Sequence, residues 1–271
     1  MLSVLNSVSQ LGAENALSST QASLQNTLLQ LSTGLKINSG SDDAAGLSIA
    51  AGLGASISAL TQSSQNASNS VGLLQTADGA LSQVTSLLNR AVTLATEASN
   101  GQLTAAQSTA ADTEYQSILT EITQIGSTTN FNGTAVFSAT PITTFTSDGT
   151  AAGTTTTSTT TGALSAASLL LTGDLTTVAK ATKSLDAITA AIDTISATRG
   201  TIGASVNQLT ADENVENTQV TNLTSAQNDV QNADIGKTVA KMTQYNVLEQ
   251  TGMAALSQSN QAQQAVLKLL Q

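Results

Sequence analysis

The sequence predicts a mainly α-helical chain: a terminal antiparallel coiled coil, a domain of long bundled helices, and a small β- or loop-rich central insertion. Three observations predict it. Apolar residues recur at alternating steps of three and four near both ends of the chain and in two longer tracts between them. Aromatics make up only 2% of the 271 residues, with no Trp and a single Pro, Pro141. The hydrophobic 40% is mostly Ala, Leu, Val and Ile, which fill narrow seams between helices.

The first long stripe runs through Ala50, Leu53, Ile57, Leu60, Ser64, Ala67, Val71, Leu74, Asp78, Leu81, Thr85, Leu88, Val92 and Ala95. A period of 3.5 is the seam of a helix buried against other long helices. At ~1.5 Å per residue the stripe extends about 68 Å. A second runs through Leu185, Ile188, Ile192, Ile195, Arg199, Ile202, Val206, Leu209, Glu213, Glu216, Val220, Leu223, Gln227 and Val230. Their aliphatic members, Leu53 to Leu88 and Ile188 to Leu209, are the expected rod-seam contacts. Ser64, Asp78 and Thr85 interrupt the first stripe, and Arg199, Glu213 and Glu216 the second. Either some pair across antiparallel helices, Asp78 with Arg199 being one option, or they lie just off the buried line and face water.

Asn100-Gly101 breaks the first tract. Residues 105–125 form a shorter helix with Tyr115, Ile118, Leu119, Ile122 and Ile125 inward, ended by Gly126 and the 128–133 stretch. Phe131, Val136 and Phe137 then read as a small β-turn or hairpin. Residues 138–178 change character, with hydroxyls at Thr154, Thr155, Thr156, Thr157, Ser158, Thr159, Thr160 and Thr161. That run reads as a short variable loop or small β-rich excursion, or as a glycosylated patch.

The ends carry the same stripe: Leu17, Gln21, Leu24, Leu28, Leu31 and Leu35, then Ile235, Val239, Met242, Asn246, Glu249, Met253, Leu256, Asn260, Gln263, Leu267 and Leu270. Only Glu14 is charged among the first thirty residues. A monomer offers little to bury these stripes against, so they should order mainly on meeting neighbours. Their apolar members from Leu17 to Leu35 and from Val239 to Leu270 are the candidate assembly residues. Ser39, Ser41, Asp42 and Asp43, next to Lys36, fit the cap of the first long helix.

Several functions are excluded or disfavoured. A net charge of −10 disfavours nucleic acid and anionic membranes. Without Cys or His there is no disulfide, thiolate, His-based triad or imidazole metal site. No phosphate loop occurs, and the adjacent carboxylates Asp42-Asp43 and Asp212-Glu213 point apart. Neither a secretory leader nor an ~18-residue apolar run is expected. The reading is a non-enzymatic chain without cofactor or metal.

Local motifs go further. LSTGLKINSGSDDAAGLSIA (31–50), NASNSVGLLQTADGAL (66–81), TNFNG (129–133), NADI (232–235), VLEQTGMAALSQSNQ (247–261) and VLKLL (266–270) closely resemble bacterial flagellins, over residues 1–138 and 179–271. The usual Arg before the Ala-Asp pair is missing at 226–231, as is a Pro near Ala262. The resemblance implies residues 1–35 with 232–271 as an inner coiled coil, 36–138 with 179–231 as a helical rod domain, and 139–178 as a short outer region. It implies a subunit of the flagellar filament used for swimming, exported unfolded by the flagellar type III apparatus and extracellular. Implied partners are further copies of the chain, flagellar cap and hook-associated proteins, and an export chaperone. Arg90, Leu94 and Glu114 match positions that Toll-like receptors contact in the family; the alternative is an Arg90–Glu114 surface pair. A hook–filament junction protein and a secreted helical effector or receptor ligand are the rival readings.

Overall fold

Capping residues set where the helices begin. Asp43 accepts the Gly46 N–H through Oδ1 at 2.9 Å and opens a 56-residue helix. Thr104 and Gln107 form a reciprocal capping box. The Asp234 side chain accepts the Lys237 N–H at 3.0 Å. Gly34 and Gly101, with φ of 73° and 68°, supply the left-handed backbone after two of the helices.

The structure, a computed structural model, describes residues 2–269, with side chains at 8, 10–262, 264 and 265. The helices are α1 (Leu2–Thr33), α2 (Ala44–Ser99), α3 (Ala105–Thr128), α4 (Val178–Gln231) and α5 (Ile235–Leu269). After α3, β1 (Asn130–Phe131) and β2 (Thr134–Ala135) form an antiparallel hairpin around Asn132 and Gly133, with φ of 49° and 79°. A second hairpin pairs β3 (Ile142–Ser147) with β4 (Thr154–Thr159), Ile142 opposite Thr159 and Ser147 opposite Thr154. The mainly α class is the one the stripes predict.

The chain divides into two compact units, residues up to Gly54 with those from Leu223, and Ala55–Asn222. The positions 35/36 and 231/232 lie within the first unit, close to the ends of α1 and α4. There Lys36 N–H donates to the Gln231 carbonyl at 2.7 Å and Ala233 N–H to that of Gly34 at 2.8 Å.

In the Ala55–Asn222 unit the hydrogen bonds make α2 and α4 antiparallel: Ser63 meets Glu216, and Asp78 meets Arg199 further along. The buried line of α2 is Leu60, Ser63, Ala67, Leu74, Ala77, Leu81, Val84, Leu88, Ala91, Ala95 and Ala98, with Leu94 beside it. Half of the predicted stripe is therefore inside, at seven-residue intervals from Leu60 to Ala95. The other half is rotated out by one residue, for Ala77, Val84 and Ala91 are buried where Asp78, Thr85 and Val92 were expected. α4 repeats the pattern: Ile188, Ile195, Ile202 and Leu209 are buried with Ser184 and Ala191, while Ile192 and Val206 are half-buried. Small residues form the second row because they let the helices approach closely, and a count of large apolar side chains misses them.

The 139–178 segment belongs to this unit. Leu164, Leu169, Leu171 and Leu175 enter the same core as Tyr115 and Ile122. The Ala166 N–H donates to Thr123 Oγ1 at 3.1 Å, and the Leu175 N–H to Asp112 Oδ1 at 2.9 Å.

Candidate assembly surface

The terminal helices α1 and α5 pack along one another in the first unit. Gln21 Nε2 donates to Glu249 Oε1 and Gln10 Nε2 to Asn260 Oδ1, both at 3.1 Å, so the pair is antiparallel. The seam shows the same rotation as in the other unit. Leu17, Leu24, Leu31, Met242 and Leu256 are half-buried, and the fully buried partners are Thr27 and Thr238. Both threonines return their hydroxyls to their own helix, at Ser23 O (2.7 Å) and Asp234 O (2.8 Å), so they pack as small apolar surfaces.

Large apolar side chains are thereby left outside. Leu28, Val239 and Met253 are 47%, 39% and 49% exposed. Val8, Leu11, Leu29, Ile235, Val247 and Leu248 are exposed beside them, and only Ile235 belonged to the predicted stripes. A shallow groove of about 360 Å³ lies between Leu17, Thr20, Leu248 and Gly252. Leu35 is half-buried at an isolated bridge to Asn232. The Leu267 side chain and all of Leu270 lie outside the described residues.

The rod-seam residues stand as follows. Leu60, Leu74, Leu81 and Leu88 are buried with Ile188, Ile195, Ile202 and Leu209, while Leu53, Ile57, Val71, Ile192 and Val206 are half-buried. Of the polar interruptions, Asp78 and Arg199 do pair, with Arg199 Nε to Oδ1 at 2.7 Å and Nη2 to Oδ2 at 3.1 Å. Both side chains remain more than a third exposed, so the bond lies at the seam's margin. The Arg199 guanidinium holds the Asp78 carboxyl below its ordinary range.

Two expectations need correction. Leu94 is 3% exposed, because α2 turns it into the core, and so it cannot be a surface contact beside Arg90 and Glu114. Those two form a bidentate surface pair at 2.7 and 3.0 Å. In the hydroxyl run, strand alternation buries Thr157 and Thr159, and Thr161 is buried just beyond with its Oγ1 donating to the Val136 carbonyl at 2.7 Å. Thr154, Thr155, Thr156, Ser158 and Thr160 alone remain open to modification.

Among the described residues no cluster of Asp and Glu is arranged to hold a metal ion. Ala44–Ser99 is long and apolar enough on average to cross a membrane, although Gly, Ser and other polar residues interrupt it so that no continuous run of ~18 apolar residues occurs. Between Leu60 and Ala98 its apolar line is the one packed in the core.

Comparison with known proteins gives the same direction from both ends of the chain. A family profile of the bacterial flagellin N-terminal helical region matches residues 4–141, and one of the C-terminal helical region matches 185–270. A flagellin of Halalkalibacterium halodurans is 35% identical over 91% of each chain, and one of Listeria monocytogenes 31% identical over 89% of this chain and 90% of its own. The crystal structure of Bacillus cereus flagellin superimposes with a TM-score of 0.51 at 30% identity, covering 60% of this chain and 94% of that one.

Proposed function

The chain belongs to the bacterial flagellin family and is a structural subunit of the flagellar filament, and from that premise we propose how its terminal helices build the polymer. The observation that carries the proposal is the division of labour in the α1–α5 pair. One row of large residues with the small, buried Thr27 and Thr238 closes the pair within one subunit, and a second set, Leu28, Val239, Met253 and Leu248, stays exposed for other copies. Each such side chain is already about half-buried, so covering the rest contributes about half of a full burial, roughly 1 kcal/mol, and several per subunit together drive association. Residues 1–35 and 232–271 then line the filament interior, and 36–138 with 179–231 form the rod around them. Leu17, Leu24, Leu31, Met242 and Leu256 hold the pair together.

Export through the flagellar type III apparatus, with a chaperone on the exposed face of α5, fits a chain whose terminal helix pair leaves large apolar side chains uncovered before assembly. Assembly beneath cap proteins and onto hook-associated proteins belongs to the same proposal. Recognition by a Toll-like receptor would rest on Arg90 and Glu114 without Leu94. No observation favours a hook–filament junction protein or a secreted effector.

The test is seeded polymerisation followed by electron microscopy. Leu28→Gln and Met253→Gln monomers should keep wild-type helix content yet fail to elongate seeds. Elongation at the wild-type rate would remove this face from the assembly.

A further inference from the structure

Glu216 lies in the buried line of α4 and is 7% exposed. Its Oε1 accepts the Ser63 hydroxyl from α2. The Ser63 oxygen in turn accepts the backbone N–H of Ser147, the last residue of β3, at 3.0 Å. One carboxyl group therefore ties together α4, α2 and the β3–β4 hairpin. Its second oxygen, Oε2, is buried without a hydrogen-bond partner.

The surroundings make a bare carboxylate expensive there. Glu216 borders a cleft of about 240 Å³ shared with Leu60, Thr146, Asp148 and Asp212, and no Lys or Arg lines it. The charged groups nearby are Asp212 and Glu213 on α4 and Asp148 on the hairpin. α2 carries no charge between Ala44 and Ala77. With Asp148 and Asp212 as the other ionisable groups lining the cleft, a proton is what relieves the charge on this carboxyl. Burial pushes Glu216 upward, opposed by the Ser63 bond and reinforced by Asp212 and Glu213.

We propose that Glu216 is a proton-operated latch for the β3–β4 hairpin. With the proton bound, the neutral carboxyl sits between the helices, and Ser63 and Ser147 stay aligned on it. When the proton leaves to solvent, the ionised group draws water into the cleft and the Ser147 tie loosens. The hairpin is also held at its far end by Ile142 packed against the core, and along its length by polar bonds: Thr144 to Ser70 at 2.7 Å, Asn66 to the Phe145 carbonyl at 3.3 Å, and Gln208 to Thr157 at 3.3 Å. Opening thus begins at the Ser147 end.

The experiment is NMR on the full-length monomer, following the Glu216 carboxyl carbon and Ser147 amide exchange from roughly pH 4 to 8. Glu216 should titrate above the ordinary range of a glutamate carboxyl, because burial penalises its charged form. The Ser147 protection factor should fall at least about tenfold across the same interval. Glu216→Gln should flatten that fall, and Asp212→Asn should move the midpoint down. A Glu216 midpoint not raised above the ordinary glutamate range, or Ser147 protection unchanged across the midpoint, would overturn the latch. So would an equal fall in folded Glu216→Gln. Should that variant not fold, the two wild-type readouts decide alone.

Discussion

Gly252 on α5 faces Leu17 on α1 so closely that a Cβ at Gly252 would lie 3.3 Å from Leu17 Cδ1. The seam of the terminal pair is thus set by a residue without a side chain. Gly252→Ala asks only the flexible end of Leu17 to shift, and regains about 0.5–1 kcal/mol of helix propensity. It should be neutral to mildly stabilising by circular dichroism. Gly252→Phe should separate the helices and abolish seeded polymerisation, and normal filaments from it would refute this packing.

Gly126 presents the stricter case. A Cβ there would lie 1.8 Å from the Leu164 carbonyl oxygen, which is backbone and cannot rotate aside. Gly126→Ala should therefore destabilise the Ala55–Asn222 unit by about 1–3 kcal/mol despite its better helix propensity, because the 164 segment must move. Urea unfolding of the variant measures this directly; an unchanged midpoint would contradict the contact.

Asp174 governs the acid limit of the α4 start. Lys180 Nζ donates to its Oδ2 at 2.8 Å, and the Thr176 hydroxyl and N–H donate to its Oδ1 at 2.6 and 3.0 Å. Lys180 first, then Thr176, hold its carboxyl at about 2 against an ordinary 3.8. A lowered folded-state pKa gives stability that is present above the unfolded value and is lost as pH falls toward the folded one. The loss should run from about pH 4 down to about 2 and, screened by solvent, amount to no more than about 1 kcal/mol. Asp174→Asn should remove that increment at neutral pH and reduce the acid slope, as read by urea titrations across the range.

The helices, their order and the cap at Asp43 were legible in the sequence, because a 3.5-residue period and an Asp before an apolar run each have a direct structural cause, whereas the caps at Thr104 and Asp234 went unread. The face was only half legible. One row of each seam holds large aliphatics such as Leu74 and Ile195, which hydropathy marks, whereas the other holds Ala77, Ser184, Thr27 and Thr238. Those residues are small or polar, so the count shifted the second row by one position to Asp78, Leu28 and Val239. Gly126 read as a helix stop, yet α3 continues to Thr128, and the glycine admits a distant carbonyl that no local pattern encodes. The leucines at 164–175 were obscured by the Thr- and Ser-rich composition around them. Their burial depends on α3, which is remote in sequence.

The one-residue rotation can be tested with neighbouring substitutions. Ala91 is wholly buried in the α2 seam, whereas Val92, the next residue, is half-buried on its flank. Ala91→Leu adds three carbons to a filled interface and should cost about 1–3 kcal/mol through forced rotamers and helix displacement. Val92→Leu adds one methylene at a margin that can yield, and should change stability by about 0.5 kcal/mol or less. Urea unfolding of both variants decides between the two registers. Had the seam run through Val92, as large apolar residues alone would place it, the order of these effects would be reversed.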